Sequence, residues 1–311
     1  MPTGACGINC DVCRLNLLGI CSTCGVGTSQ EGLKKMETQL RVLGSPCPIL
    51  ACALETRIAY CPRDCEAFPC DRFWAGPYPF SQGFLSMQER RRKQGAQAKT
   101  PSGDVLKVPG QYWEELRKGD MEEICGYASA RNYPPTGLLL PFLKEYLLVD
   151  TENQCLHRQS HGQWEPMENP LLELVCLVYL LNAGPQSLTH ELVSVKELKS
   201  GHFFKGPHEL KIQPLLDCYG NDLERFKEAA EGARGEVLDL ADAAYMFQAF
   251  PKVPLYYLLW QGDEEFQPRL SILFDRSIEH HLAADAIWGL VNLVSDVLLS
   301  FSFTSTSEKD Q

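Results

Sequence analysis

Ten of the fourteen cysteines in this 311-residue chain fall within its first seventy residues, at spacings suited to metal ligands. They stand at Cys6, Cys10, Cys13, Cys21 and Cys24, then at Cys47, Cys52, Cys61, Cys65 and Cys70. Thiolates are soft ligands, and a Cys-x-x-Cys turn aims two of them at one ion because the chain doubles back within it. Cys10/Cys13 and Cys21/Cys24 are two such turns, and Gly25 after the second frees the backbone where it would wrap a metal. Cys6 is a fifth sulfur beside them. The second set is looser and flanked by proline, as Cys47-Pro48, Cys52, Cys61-Pro62, Cys65 and Phe68-Pro69-Cys70. Proline beside cysteine also recurs around iron–sulfur ligands. Spacing alone permits zinc in the first set, zinc or iron–sulfur in the second, or one cluster built from both.

Other residues offer different chemistry. Asp275, His280 and His281 are candidate catalytic groups, with Glu279 and Asp285 close by in sequence. Histidine beside carboxylate suits general acid–base work or a hard-metal site. Adjacent histidines point different ways in a regular element, so the plain alternative is an Asp275 that caps a helix. His202, Lys205 and His208, around the Gly206 turn, are candidates for binding an anionic ligand; the alternative is a packed aromatic loop. Asp263, Glu264 and Glu265 are suited to a divalent cation or to a solvated hairpin loop. They lie roughly 20 Å from Asp275 along an extended strand, too far to share its site. Cys125, Cys155, Cys176 and Cys218 are scattered, and none is expected to bind metal.

Cys6-x3-Cys10-x2-Cys13 also matches the spacing of the radical S-adenosylmethionine signature. That chemistry needs a strand before the triad and regular strand–helix alternation after it, and neither is expected here. No phosphate-binding glycine loop, Gly-x-Ser-x-Gly elbow or His-Glu-x-x-His is present.

These residues need a scaffold, and composition sets its type. With 44% hydrophobic and 22% charged residues the chain is expected to bury a sizeable core. Residues 1–74 hold seven basic and seven acidic residues, so the formal charge of −11 lies wholly on the remainder. That field disfavours nucleic acid. The start, MPTGACGIN, has no signal-peptide pattern, and Ile287–Phe303 has one greasy helical face interrupted by Asn292, Ser295 and Asp296. A core helix is expected there, with no membrane role, in a cytoplasmic protein. In that reducing compartment clustered cysteines favour metal over disulfides.

The fold class expected is α+β. A small Cys-rich metal-binding domain (1–74) precedes a linker with a short basic helix (75–104) that includes Arg90-Arg91-Arg92-Lys93. A larger domain of antiparallel sheet with helices (105–303) and a disordered tail (304–311) follow. Residues 29–43 predict an amphipathic helix with Leu33, Met36, Leu40 and Leu43 on its inner face. In the body, strands are expected at 138–142, 146–149, 155–157, 192–197, 243–250, 253–260 and 269–274.

The head carries Cys6-Gly7-Ile8-Asn9-Cys10-Asp11-Val12-Cys13, the Cys21/Cys24 knuckle, and Cys61-Pro62-Arg63-Asp64-Cys65-Glu66-Ala67-Phe68-Pro69-Cys70. With these it resembles a small cysteine-rich family of unknown function in anaerobic bacteria and archaea. The body is similar to a second such family through Phe250-Pro251-Lys252-Val253-Pro254, Trp260-Gln261-Gly262-Asp263-Glu264-Glu265-Phe266 and Ile272-Leu273-Phe274-Asp275. The resemblances imply an anaerobic host and bring no activity with them. The reading is a metalloprotein of anaerobic metabolism, with a [4Fe–4S] cluster on the head cysteines and a body that binds a partner protein or small ligand. It would serve electron transfer or cofactor maturation. The alternatives are a zinc-stabilised interaction module and an enzyme using the Asp275/His280/His281 group.

Overall fold

A computed structural model describes residues 3–8, 10, 13–74, 85–86, 89, 108–263 and 265–304. The basic run 90–93 and residues 305–311 of the expected tail lie outside them. The chain divides into two units, Met1–Asp104 with Lys199–Phe203, and Val105–Leu198 with Phe204–Gln311.

The first unit is built from short helices: α1 (Arg14–Leu17), α2 (Gln30–Leu43), α3 (Pro48–Glu55), α4 (Cys61–Asp64) and α5 (Asp71–Trp74). Ser29 caps α2 by accepting the Gly32 amide, and Gly44 ends it in the left-handed conformation, φ 75°. The inner face of α2 differs from the one its leucines predict. Leu33, Leu40 and Leu43 are exposed, while Gly32 and Gln39 are buried. Close approach sets this orientation. A Cβ on Gly32 would lie 2.6 Å from the Val26 carbonyl, and Gln39 Oε1 accepts the Cys47 amide at 3.0 Å. The helix is thus turned by its contacts with cysteine-bearing loops, against its hydrophobic pattern.

Three cysteine-bearing segments are tied by backbone bonds. Ala5 N donates to Gly25 O at 3.2 Å, Cys61 N to Ala5 O at 2.8 Å, and Gly27 N to Ala59 O at 3.2 Å. Gly27 is required there, since a Cβ would sit 2.0 Å from the Ile58 carbonyl. Among the described residues the core of this unit is only Ala5, Ile8, Ile49, Leu50, Ala53, Cys61, Phe68, Phe73 and Leu85. So few buried side chains suit a unit stapled by something besides its apolar core.

The second unit is α+β, as its patterning predicts. Strands β1 (Arg131–Tyr133), β2 (Gly137–Phe142), β3 (Glu145–Asp150), β4 (Cys155–Ser160) and β5 (Gln163–Met167) form an antiparallel meander. A second sheet has the order β6-β10-β9-β8-β7, from β6 (Leu192–Ser194), β7 (Glu236–Leu238), β8 (Ala243–Phe250), β9 (Val253–Trp260) and β10 (Arg269–Asp275). Neither sheet closes into a barrel, and both are antiparallel, which removes the scaffold that radical chemistry needs. The expected strand over 192–197 stops at Ser194. There a capping box with Glu197 turns the chain into a 3-10 helix.

Helix α6 (Gly110–Lys118), α7 (Met121–Ala128), α8 (Pro170–Asn182), α9 (Gln213–Tyr219), α10 (Leu223–Gly232) and α11 (Ala284–Thr304) complete this unit. Asn169 caps α8 and Pro170 opens it; its Val175, Cys176, Leu177 and Tyr179 are fully buried. α11 is long and apolar enough to cross a membrane by length and composition. Its Ile287, Leu290, Val291, Val294 and Leu298 are nevertheless in the core, and Ser295 is hydrogen-bonded to Tyr257 at 3.1 Å. It is a core helix of this unit.

Candidate metal centre

The last four cysteines of the first unit converge. Cys52 lies on α3, Cys61 opens α4 and Cys65 closes it, and Cys70 immediately precedes α5. Each one-turn helix reverses the chain near a sulfur: Cys65 N donates to Cys61 O, Phe68 N to Cys65 O and Phe73 N to Cys70 O. Cys52, Cys61, Cys65 and Cys70 line one cavity of about 50 Å³ with Ile49, Phe68 and Phe73. Phe68 and Phe73 meet edge to face, ring centres 4.9 Å apart. Burial first, then the neighbouring Cys65, Cys52 and Cys70, raise the Cys61 thiol to about 12 against a backbone hydrogen bond. The free thiol is therefore protonated at neutral pH, and metal loading must expel its proton. Arg72 stands at the rim, its guanidinium favoured first by Cys52 and then by a hydrogen bond to Cys70.

Cys6, Cys10, Cys13, Cys21, Cys24 and Cys47 form the other group. Burial raises Cys6 to about 12, with Cys13, Cys47 and Cys10 adding to the rise against a backbone hydrogen bond from Ile8. Cys24 is raised by burial, then by Cys21, Cys10 and Cys6, with Lys35 opposing. The Cys24 amide donates to Cys10 Sγ at 3.1 Å, the bond a backbone gives to a ligating sulfur. Cys47 thus sits with the knuckle cysteines and not with Cys52. None of the ten forms a disulfide.

Asp275 caps a turn. It accepts Thr189 N, Thr189 Oγ1, His190 N, Ser277 N and Ser277 Oγ, at 2.6–3.0 Å. Burial alone would raise its pKa, but these bonds, led by Ser277 and Thr189, hold it at about 2. No bond to either histidine is among them. His280 is exposed, and His281 is fully buried with neither ring nitrogen partnered among the described residues. Burial first, then Lys252 and His280, push His281 down to about 4, with Asp275 opposing. Its folded pKa lies below the ordinary 6.5, so the unfolded chain binds the extra proton between those values. Stability is then full above about pH 6.5 and falls by about 3 kcal/mol as pH drops through 4. Urea titrations across pH 4–7 should show this loss, and His281→Leu should remove it.

His202 falls in the first unit; Lys205 and His208 fall in the second, where Lys205 is exposed and His208 packs edge-on against Trp288 at 5.7 Å. Asp263 spends its carboxylate on the turn, accepting the Glu265 and Phe266 amides; Glu264 lies outside the described residues.

One constellation escaped the sequence reading. Asp150, Cys155 and His157 place a carboxylate oxygen, Sγ and Nε2 within 4.8 Å of one another. The signal was available as Asp-x4-Cys-x-His across an expected hairpin. Treating Cys155 as one of four scattered cysteines hid it.

A cysteine-rich unit and an α+β unit of two antiparallel sheets define the class of protein. The chain belongs to the family described as Domain of unknown function (DUF3786), whose model matches residues 120–297. That span runs from the Asp120 cap of α7 into α11 and does not cover the ten cysteines at positions 6–70. No curated protein matches the chain, and no solved structure matches it.

Proposed function

We propose that the protein is a cytoplasmic iron–sulfur protein of anaerobic metabolism, carrying a [4Fe–4S] cluster on Cys52, Cys61, Cys65 and Cys70. The observation that carries this is the four-thiol cavity. A water-sized occupant needs about 10–15 Å³ of such space, so about 50 Å³ accommodates several atoms where one zinc ion needs fewer. Spacing points the same way. Tetrahedral zinc with bonds of about 2.3 Å draws its sulfurs to within about 3.8 Å of one another. Among the described residues no three head thiols lie within 4.8 Å of one another. The apolar walls and Arg72 suit a buried anionic cluster, whose reduced form gains from the nearby cation.

When bound, such a cluster supplies one-electron transfer. The role this supports is an electron-transfer or cofactor-maturation accessory protein, with the α+β unit recognising a partner protein or small ligand. Anaerobically purified protein should show broad absorbance near 400 nm that dithionite bleaches, with about four irons per chain. Colourless protein containing only zinc refutes the reading. That outcome would instead favour a zinc-stabilised interaction module, for which the exposed Leu40, Val42 and Leu43 of α2 offer an apolar contact surface.

A further inference from the structure

The β3–β4 hairpin gathers three different ligand types on one face. Asp150 and Cys155 are directly opposed across the two strands, and His157 follows two residues after Cys155. The two-residue strand period brings the histidine back to that face. Cys155 Sγ is 3.1 Å from His157 Nε2, and the same nitrogen is 3.6 Å from Asp150 Oδ2.

That shared nitrogen decides between two chemistries. In a nucleophilic Cys–His–Asp triad the carboxylate holds one ring nitrogen while the other faces the thiol. Here thiol and carboxylate both face Nε2, so no proton relay through the ring exists. Three donor atoms converging on one point is instead the arrangement of a coordination shell. Tetrahedral zinc, with bonds of about 2.3 Å to sulfur and about 2.0–2.1 Å to nitrogen and oxygen, sets ligand atoms about 3.4–3.6 Å apart. The two separations here lie within about half an ångström of that.

The surroundings fit a cation. The Asp150 carboxylate is positioned by the Glu152 and Asn153 amides on Oδ1 and the Asn153 side chain on Oδ2. Those bonds and His157 hold it ionised against the effect of burial. Cys155 is raised by burial, then by the charges of Asp150 and Glu173, so without a cation it keeps its proton. A divalent ion reverses that balance: the S–H proton leaves to solvent, a metal–sulfur bond forms, and two anionic ligands neutralise the ion. Asp150 is buried while Cys155 and His157 are partly exposed, which leaves the ion a path in.

We propose that Asp150, Cys155 and His157 bind a divalent ion of the zinc class, with a fourth position open to water or a ligand. Carboxylate, thiolate and imidazole together suit borderline ions and disfavour calcium and magnesium. The site is independent of any cluster in the cysteine-rich unit. His157 Nδ1 is enclosed with no partner among the described residues. Loss of such an outer bond weakens metal sites by about 10–100-fold, so this one is exchangeable and not permanently filled.

Residue-specific readout separates this site from the head thiols. Full-length protein is alkylated with iodoacetamide at pH 8.5, with and without Zn²⁺ in excess over the head thiols, and Cys155 labelling is read by peptide mass spectrometry. Zinc should slow Cys155 labelling by about tenfold or more, EDTA should restore it, and His157→Gln and Asp150→Asn should abolish the protection. Zinc retained per chain after desalting into zinc-containing buffer should fall by one ion in both variants. Equal Cys155 labelling with and without zinc in the wild-type protein overturns the proposal. So does zinc stoichiometry unchanged in both variants, which decides the question even where labelling is slow.

Discussion

Cys61→Ser is expected to bleach the protein. Of the four thiols around the cavity, Cys61 is the most enclosed, and its amide is bonded to Ala5. Serine keeps the shape but offers a harder oxygen that stays protonated at neutral pH, so one corner of the cluster loses its ligand. Absorbance near 400 nm and iron content should fall to background. Because the described core of this unit is nine side chains, thermal stability should fall with them. Cys21→Ser supplies the contrast: Cys21 belongs to the other group and is absent from the cavity wall, so the colour should survive. Equal bleaching by both substitutions would place the cluster on a different set of sulfurs.

The largest effect in the body is expected from Asp275→Ala. Five donors converge on that carboxylate, and its removal leaves the Thr189, His190 and Ser277 amides without their acceptor. Ser277 is buried while Thr189 and His190 are exposed. An unpartnered buried donor costs about 1–3 kcal/mol and water relieves the exposed pair, so a loss of about 2–4 kcal/mol is expected at pH 7. Asp275→Asn isolates the charge. The folded pKa of about 2 lies below the ordinary 3.8, so the ionised form contributes about 2 kcal/mol at neutral pH. That contribution is full above about pH 4 and disappears as pH falls through 2. Chemical denaturation of Asp275→Asn and wild type should therefore converge in acid; a gap independent of pH would show that charge plays no part. The same carboxylate, occupied by five donors, is unsuited to the catalytic role its neighbouring histidines suggest.

Much of this was legible in the sequence. The strands expected over 243–250, 253–260 and 269–274 match β8, β9 and β10, and the helical face within 287–303 lies in the core as its spacing predicts. The short edge strands β1, β5 and β7 were missed because three to five half-exposed residues carry no alternation to read. The cysteines were legible as ligands but not as groups. A division drawn along the chain places Cys47 beside Cys52, whereas α3 separates them: five residues turn a helix by about 140° beyond a full circle, onto different faces. Asp150, Cys155 and His157 were hidden for the converse reason, since strand pairing brings together what a sequence scan sees as isolated residues.

The pairing of β6 with β10 has a further consequence for the entropy of the chain. Thr189 and Asp275 are 86 residues apart, and the loop between them is closed by a three-residue strand and one carboxylate. Closing a flexible loop of that length costs about 4 kcal/mol, comparable with what Asp275 contributes. The meander from β7 to β10 needs only local turns and can form first, with β6 docking afterwards as the slow, long-range step. This edge of the sheet is therefore where native-state hydrogen exchange should find the lowest opening energy, with Val193 exchanging well before Leu255.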